Sequence, residues 1–125
     1  MPVAADEEML LNFYENVVEK FHQENMEVIV VMPTEHEESD ARNYRFTAAD
    51  FAKLIKIGID GVSLMTYDFS GSSALPGPNS PLRWSTKTVM ALLPPKLRDQ
   101  RDITQKLLVG IPFYGYDFHL KGSKK

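Results

Sequence analysis

Tyr67 and Asp68 are the pair best placed to do chemistry. An ionised Asp accepts hydrogen bonds from O–H and N–H groups, while a phenol stacks or donates. The pair follows an apolar run, Val62 to Thr66, and precedes an irregular run rich in Gly, Ser and Pro that reaches Pro81. A buried strand that stops at a tyrosine and a carboxylate, with a long loop after it, is a common layout for a site on an α/β scaffold. The dipeptide has a plainer use, in which Tyr67 packs with its hydroxyl satisfied and Asp68 opens a turn. Spacing alone leaves both uses open.

Side chains two apart on a strand share a face. Ser63, Met65 and Tyr67 therefore point one way, and Val62, Leu64 and Thr66 the other, with Asp68 at the carboxyl end. Residues 106–113, KLLVGIPF, predict another strand. Gly110, Pro112 and Tyr114 share one of its faces, and Val109, Ile111 and Phe113 the other. Small residues on one face and bulky ones on the other suit a strand whose inner face lines a confined space and whose outer face packs on helices.

The elements that must position these residues read as follows. Residues 5–24 predict an amphipathic helix with Met9, Leu10, Phe13, Val17 and Phe21 inward and Asp6, Glu7 and Glu8 in its first turn. Residues 27–32, EVIVVM, are continuously apolar after the first, as in a parallel strand buried on both faces, and Pro33 ends them. Residues 34–45 predict a polar loop. His36 stands there among Glu35, Glu37 and Glu38, but consecutive residues rarely converge on one ion, so a solvated loop is expected rather than a metal site.

Residues 47–57 predict a second helix, with Thr47 as N-cap, Asp50 at the capping-box position, and Phe51, Leu54 and Ile55 inward. Gly58 suits the left-handed residue that stops it. Residues 81–93 predict a third, with Pro81 in its first turn, Asn79 or Ser80 as cap, and Pro94-Pro95 as the stop. Residues 96–105 are charged and read as irregular with a helical turn. The order αβ-αβ-αβ implies three parallel strands in sequence order with right-handed crossovers. The helices at 47–57 and 81–93 should cover one side and leave the other open, with Met65, Val30 and Pro112 on the open face.

Composition narrows the classes. With 125 residues, 43% of them hydrophobic, the chain suits one globular domain with a modest core. A net charge of −3 argues against a nucleic-acid footprint, which needs a basic stripe, and the basic cluster at residues 121–125 reads as a solvated tail. There is no cysteine, which excludes disulfides and thiolate metal sites. The start, MPVAADEEMLLNF, is acidic and does not read as a secretory signal, and no apolar run is long enough to span a bilayer.

Two motifs carry a resemblance. Met65-Thr66-Tyr67-Asp68 matches the Met-x-Tyr-Asp signature at the end of the sixth barrel strand in glycoside hydrolase family 18, the chitinases and chitinase-like lectins. Gly110-Ile111-Pro112-Phe113-Tyr114-Gly115 is similar to that family's seventh strand. The resemblance implies an α/β fold: a partial TIM (β/α)8 barrel of about three βα units, equivalent to strands 5, 6 and 7, forming one partial domain over residues 1–125. It implies substrate contacts from Tyr67, Asp68, Met65 and Tyr114. Trp84 would add an apolar platform for a sugar ring, the alternative being packing at the start of its helix.

In such enzymes a Glu at the end of strand four, in an Asp-x-x-Asp-x-Asp-x-Glu motif, protonates the leaving oxygen while the sugar's own N-acetyl group attacks. No segment here matches that motif, so no catalytic residue is assigned, and neither a cofactor nor a metal is expected. The implied partners are chitin or N-acetyl-hexosamine oligosaccharides and a stabilin-type receptor, with no nucleic acid and no membrane. Family members are secreted or lysosomal.

Three functions compete at this point. The first is a fragment or short isoform of a chitinase-like sugar-binding protein. The second is a part of an active chitinase hydrolysing β-1,4-N-acetylglucosamine linkages. The third is a stand-alone α/β domain binding a nucleotide or phosphate. The third wants a Gly-rich turn leading into a helix, and Gly71-Ser72-Ser73, the nearest candidate, leads into prolines instead.

Overall fold

The computed structural model of the protein describes residues 4–34, 46–71 and 75–119. The elements run α1 (Ala4–Gln23), β1 (Ile29–Pro33), α2 (Ala48–Lys56), β2 (Gly61–Met65), α3 (Leu82–Leu92), α4 (Pro95–Arg98), α5 (Arg101–Thr104) and β3 (Leu107–Val109). The strands form one parallel sheet in the order β1-β2-β3, with Val30 beside Val62 and Val62 beside Leu107. This is the parallel order that the βα rhythm predicts. The short helical turns α4 and α5 occupy most of the segment expected to be irregular.

All three long helices contribute to one core. Val18 from α1, Phe51 and Leu54 from α2, and Leu92 and Leu93 at the end of α3 cluster with Val30, Ile59, Val62 and Leu64. Full burial of a side chain such as Phe51 contributes about 1.5–3 kcal/mol. The alternation expected of β2 holds: Val62, Leu64 and Thr66 are buried beneath the helices, while Ser63, Met65 and Tyr67 are half-buried on the other face.

Two expectations about β1 fail. It is not buried on both faces, since Ile29 is 50% and Val31 56% exposed. Val30 is not on the open face either. Its register with Val62 turns it toward the helices, where it is buried. A continuous apolar run carries no parity signal, so only the pairing decides which residues face the core.

The inward face of α1 also differs. Met9 and Phe13 are 63% and 59% exposed, and Leu10 and Phe21 are exposed too, while Leu11, Tyr14 and Val18 turn to the core. Polar ties set the rotation. His22 Nε2 pairs with Asp60 Oδ2 at 2.8 Å, Lys53 pairs with Glu7, and Val18 lies against Gly58. Burial pushes the Asp60 carboxyl up, but the Val28 N–H and the His22 imidazole outweigh it and hold the group below its ordinary value.

The helix ends follow their local chemistry. Thr47 and Asp50 form the predicted capping box on α2, and Gly58, with φ of 96°, takes the left-handed turn after it. Asn25 does the same after α1 at φ of 56°, with Met26 N–H bonded to Phe21 O and Asn25 N–H to His22 O. Neither Asn79 nor Ser80 caps α3, whose N-cap position is Pro81. Both side chains are committed to strand ends instead.

The third strand is shorter than expected. Pro112 has no N–H to continue a ladder, and regular pairing ends at Val109. The bulky face expected to pack on helices is uncovered: Val109 and Ile111 are exposed and Phe113 is 98% exposed. No described element lies over that edge of the sheet.

Candidate functional site

The carboxyl ends of the three strands are joined by side chains. Thr34 Oγ1 donates to Met65 O at 2.8 Å, linking β1 to β2. Buried Thr66 donates through Oγ1 to Gly110 O at 2.7 Å, and Gly110 N–H returns a bond to Leu64 O at 3.0 Å. Ser80 Oγ donates to Thr66 O at 2.5 Å and ties the start of α3 to the same corner. The platform beneath Tyr67 and Asp68 is thus fixed at backbone level.

Tyr67 lies over Gly110. A Cβ at Gly110 would stand 2.8 Å from Tyr67 Cε1 and 2.6 Å from Leu64 O, so only glycine lets ring and strand approach this closely. The Tyr67 and Tyr114 rings meet edge to face with centroids 6.5 Å apart.

Asp68 occupies the left-handed region at φ of 60°. Few non-glycine residues adopt it, and such outliers cluster where a site needs a side chain aimed against local preference. Asn79 supports the conformation. Its Oδ1 accepts from Asp68 N–H at 2.6 Å, its Nδ2 donates to Tyr114 O at 3.0 Å, and its own carbonyl accepts from Phe69 N–H at 2.9 Å. Only one orientation of the amide satisfies both side-chain bonds. Gly77 folds the loop back on buried Ser70, since a Cβ there would stand 2.4 Å from Ser70 Oγ.

The Asp68 carboxylate accepts two phenols at one oxygen. Tyr114 Oη donates to Oδ1 at 2.6 Å and Tyr116 Oη at 2.7 Å. The Asp68 bond, with smaller contributions from burial and from the negative charge itself, pushes the Tyr114 phenol up to about 12. The same causes raise Tyr116. Rings continue along the extended segment, with Tyr114 to Tyr116 at 6.0 Å and Tyr116 to Phe118 at 6.1 Å.

Tyr67, Asp68 and Tyr114 therefore come together, and Met65 lies half-buried at the end of β2 on the same face as Tyr67. Trp84 does not join them. It is 6% exposed, with its ring centroid 5.1 Å from that of Phe69, so packing is the use it has here and no face is offered to a sugar. Tyr116 and Asn79 also contact Asp68, and the two sequence motifs do not single them out. The alternating aromatics Tyr114, Tyr116 and Phe118 were the available signal for the first, and nothing local marks the second.

A shallow cleft between α1 and α2, lined by residues including Tyr14, Met32 and Phe46, does not include Asp68. Among the described residues no cluster of His, Cys, Asp or Glu is suited to a metal. His36 with its glutamates, Ser72-Ser73 and the basic tail all lie outside the described residues. No described helix is long and apolar enough to cross a membrane.

The sheet is parallel, with a carboxylate and aromatic rings beyond its carboxyl end, the end at which α/β barrels bind their ligands. Residues 2–125 match the model of the glycosyl hydrolases family 18, and the chain belongs to that family. The family has the TIM-barrel fold, and three parallel strands with helices on one face are consistent with part of such a barrel. Its members generally bind chitin or N-acetylglucosamine oligosaccharides.

Proposed function

We propose that this chain is part of a chitinase-like protein that binds N-acetyl-hexosamine oligosaccharides at the carboxyl ends of β2 and β3, its strands corresponding to barrel strands 5, 6 and 7. Tyr67, Asp68 and Tyr114 hold the sugar, with Met65 beneath them. The observation that carries this is the Asp68 carboxylate, placed in a left-handed conformation at a strand end and ringed by phenols. An ionised carboxylate accepts from sugar hydroxyls and the acetamido N–H, while a phenol stacks on the ring or donates to the acetamido oxygen.

The residues of this chain supply sugar contacts and not the strand-four Glu that hydrolysis requires, so the role proposed for the chain itself is binding. The string LMTYDFS followed by PGPNSPLRW also resembles chitinase domain-containing protein 1, a stabilin-interacting chitinase-like protein. That likeness supports a lectin-like role and a stabilin-type receptor as partner. The test is discrimination by the acetamido group. Chitotetraose should bind the complete protein at least tenfold more tightly than cellotetraose, which lacks that group, since one hydrogen bond to a charged group is worth about 1.5–3 kcal/mol. Equal affinity for the two would contradict the assignment.

A further inference from the structure

Asp68 receives more support than a ligand-facing carboxylate at a strand end requires. Its N–H is fixed by Asn79, and its Oδ1 accepts from two phenols two residues apart. The first phenol is itself anchored, because Asn79 also holds the Tyr114 carbonyl. The second comes from Tyr116, whose ring stands at 90° to that of Tyr114. Rotation about the last bond of an Asp side chain has broad, shallow preferences, so one hydrogen bond leaves the carboxylate plane free to rock. A second donor on the same oxygen, carried by a separate ring, narrows that freedom.

We propose that Tyr116 is a positioning residue for sugar recognition, its hydroxyl locking the Asp68 carboxylate plane in the orientation that meets a sugar hydroxyl or acetamido N–H. The inference rests on the proposed sugar site and adds a residue to it. Fixing an acceptor before the ligand arrives removes the cost of ordering it on binding. The competing use for Tyr116 is packing, through its edge contacts with Tyr114 and Phe118. Phenylalanine keeps the ring and removes only the donor, so the two uses separate. Tyr116 is 38% exposed, which lets that change be made without disturbing the core.

The experiment is a double-mutant cycle in the complete protein, titrated calorimetrically with chitotetraose, with unfolding midpoints showing that each variant keeps the fold. Tyr116→Phe should weaken binding about tenfold, the scale of one hydrogen bond to a charged acceptor. Tyr116→Ala should add little to that loss. In the Asp68→Ala background Tyr116→Phe should have no further effect, because its action runs through the carboxylate. Wild-type affinity in Tyr116→Phe, or a loss that persists without Asp68, overturns the positioning role alone. Wild-type affinity in Asp68→Ala overturns the sugar site and the positioning role together.

Discussion

Tyr114 Oη donates to Asp68 Oδ1 at 2.6 Å across 46 residues of sequence, and the bond joins the segments that follow two neighbouring strands, β2 and β3. Its sequence separation makes it a product of the fold. It exists because β2 and β3 pair in parallel, because Gly110 lets the Tyr67 ring approach the backbone just past β3, and because Asn79 pins both backbones.

Gly110 is the first place to test this. Alanine there would put a Cβ 2.6 Å from Leu64 O and 2.8 Å from Tyr67 Cε1. The carbonyl cannot retreat without loosening its bond from Gly110 N–H. Overpacking of this kind costs about 1–3 kcal/mol. Gly110→Ala should lower stability by that amount in chemical denaturation and weaken chitotetraose binding through displacement of Tyr67. An unchanged midpoint would show that Tyr67 has room to move.

The two phenols on Asp68 give an alkaline signature. Their proton-bound forms are favoured in the folded state, so their contribution to stability is fully present below the ordinary phenol value of about 10. It is lost as pH rises, through about 12 for Tyr114. Phenolate absorbance during a pH titration should show two tyrosines ionising late. Asp68→Asn should bring both back toward the ordinary value. Late ionisation that survives Asp68→Asn would mean that something other than this carboxylate holds the protons.

The 125-residue chain should release no reducing ends from chito-oligosaccharide. A proton must reach the glycosidic oxygen from a group within hydrogen-bonding distance. Asp68 accepts two phenols at Oδ1, and under the proposed function it orients the sugar and does not protonate it. Reducing-end release that disappears on Asp68→Asn would contradict this.

Much of the sheet was legible because its signals are local. Alternation in Val62 to Thr66 gave the faces of β2, and Thr47 with Asp50 gave the start of α2. Where two apolar patterns compete, local signals fail. On α1 the stripe through Met9, Phe13, Val17 and Phe21 is as regular as the one through Leu11, Tyr14 and Val18, and distant ties to Asp60 and Lys53 choose between them. The uniform run around Val30 hides its parity for the same reason. At the candidate site, Tyr67 and Asp68 were visible from their position at a strand end, and Tyr114 from the resemblance of residues 110–115 to a family motif. Asn79 was not, since an Asn before Ser-Pro reads as a helix cap, and only the returning chain at Tyr114 gives its amide a second partner.

The central claim is that Asp68 at the end of β2 holds the sugar. Calorimetry with chitotetraose on the complete wild-type protein, Asp68→Ala and Tyr67→Phe tests it most directly. Asp68→Ala should weaken binding about ten- to a hundredfold, the equivalent of losing a hydrogen bond to a charged group. Tyr67→Phe should cost less, since the ring over Gly110 is kept and only the hydroxyl is lost. Equal affinities across all three proteins would contradict the claim and place the site elsewhere.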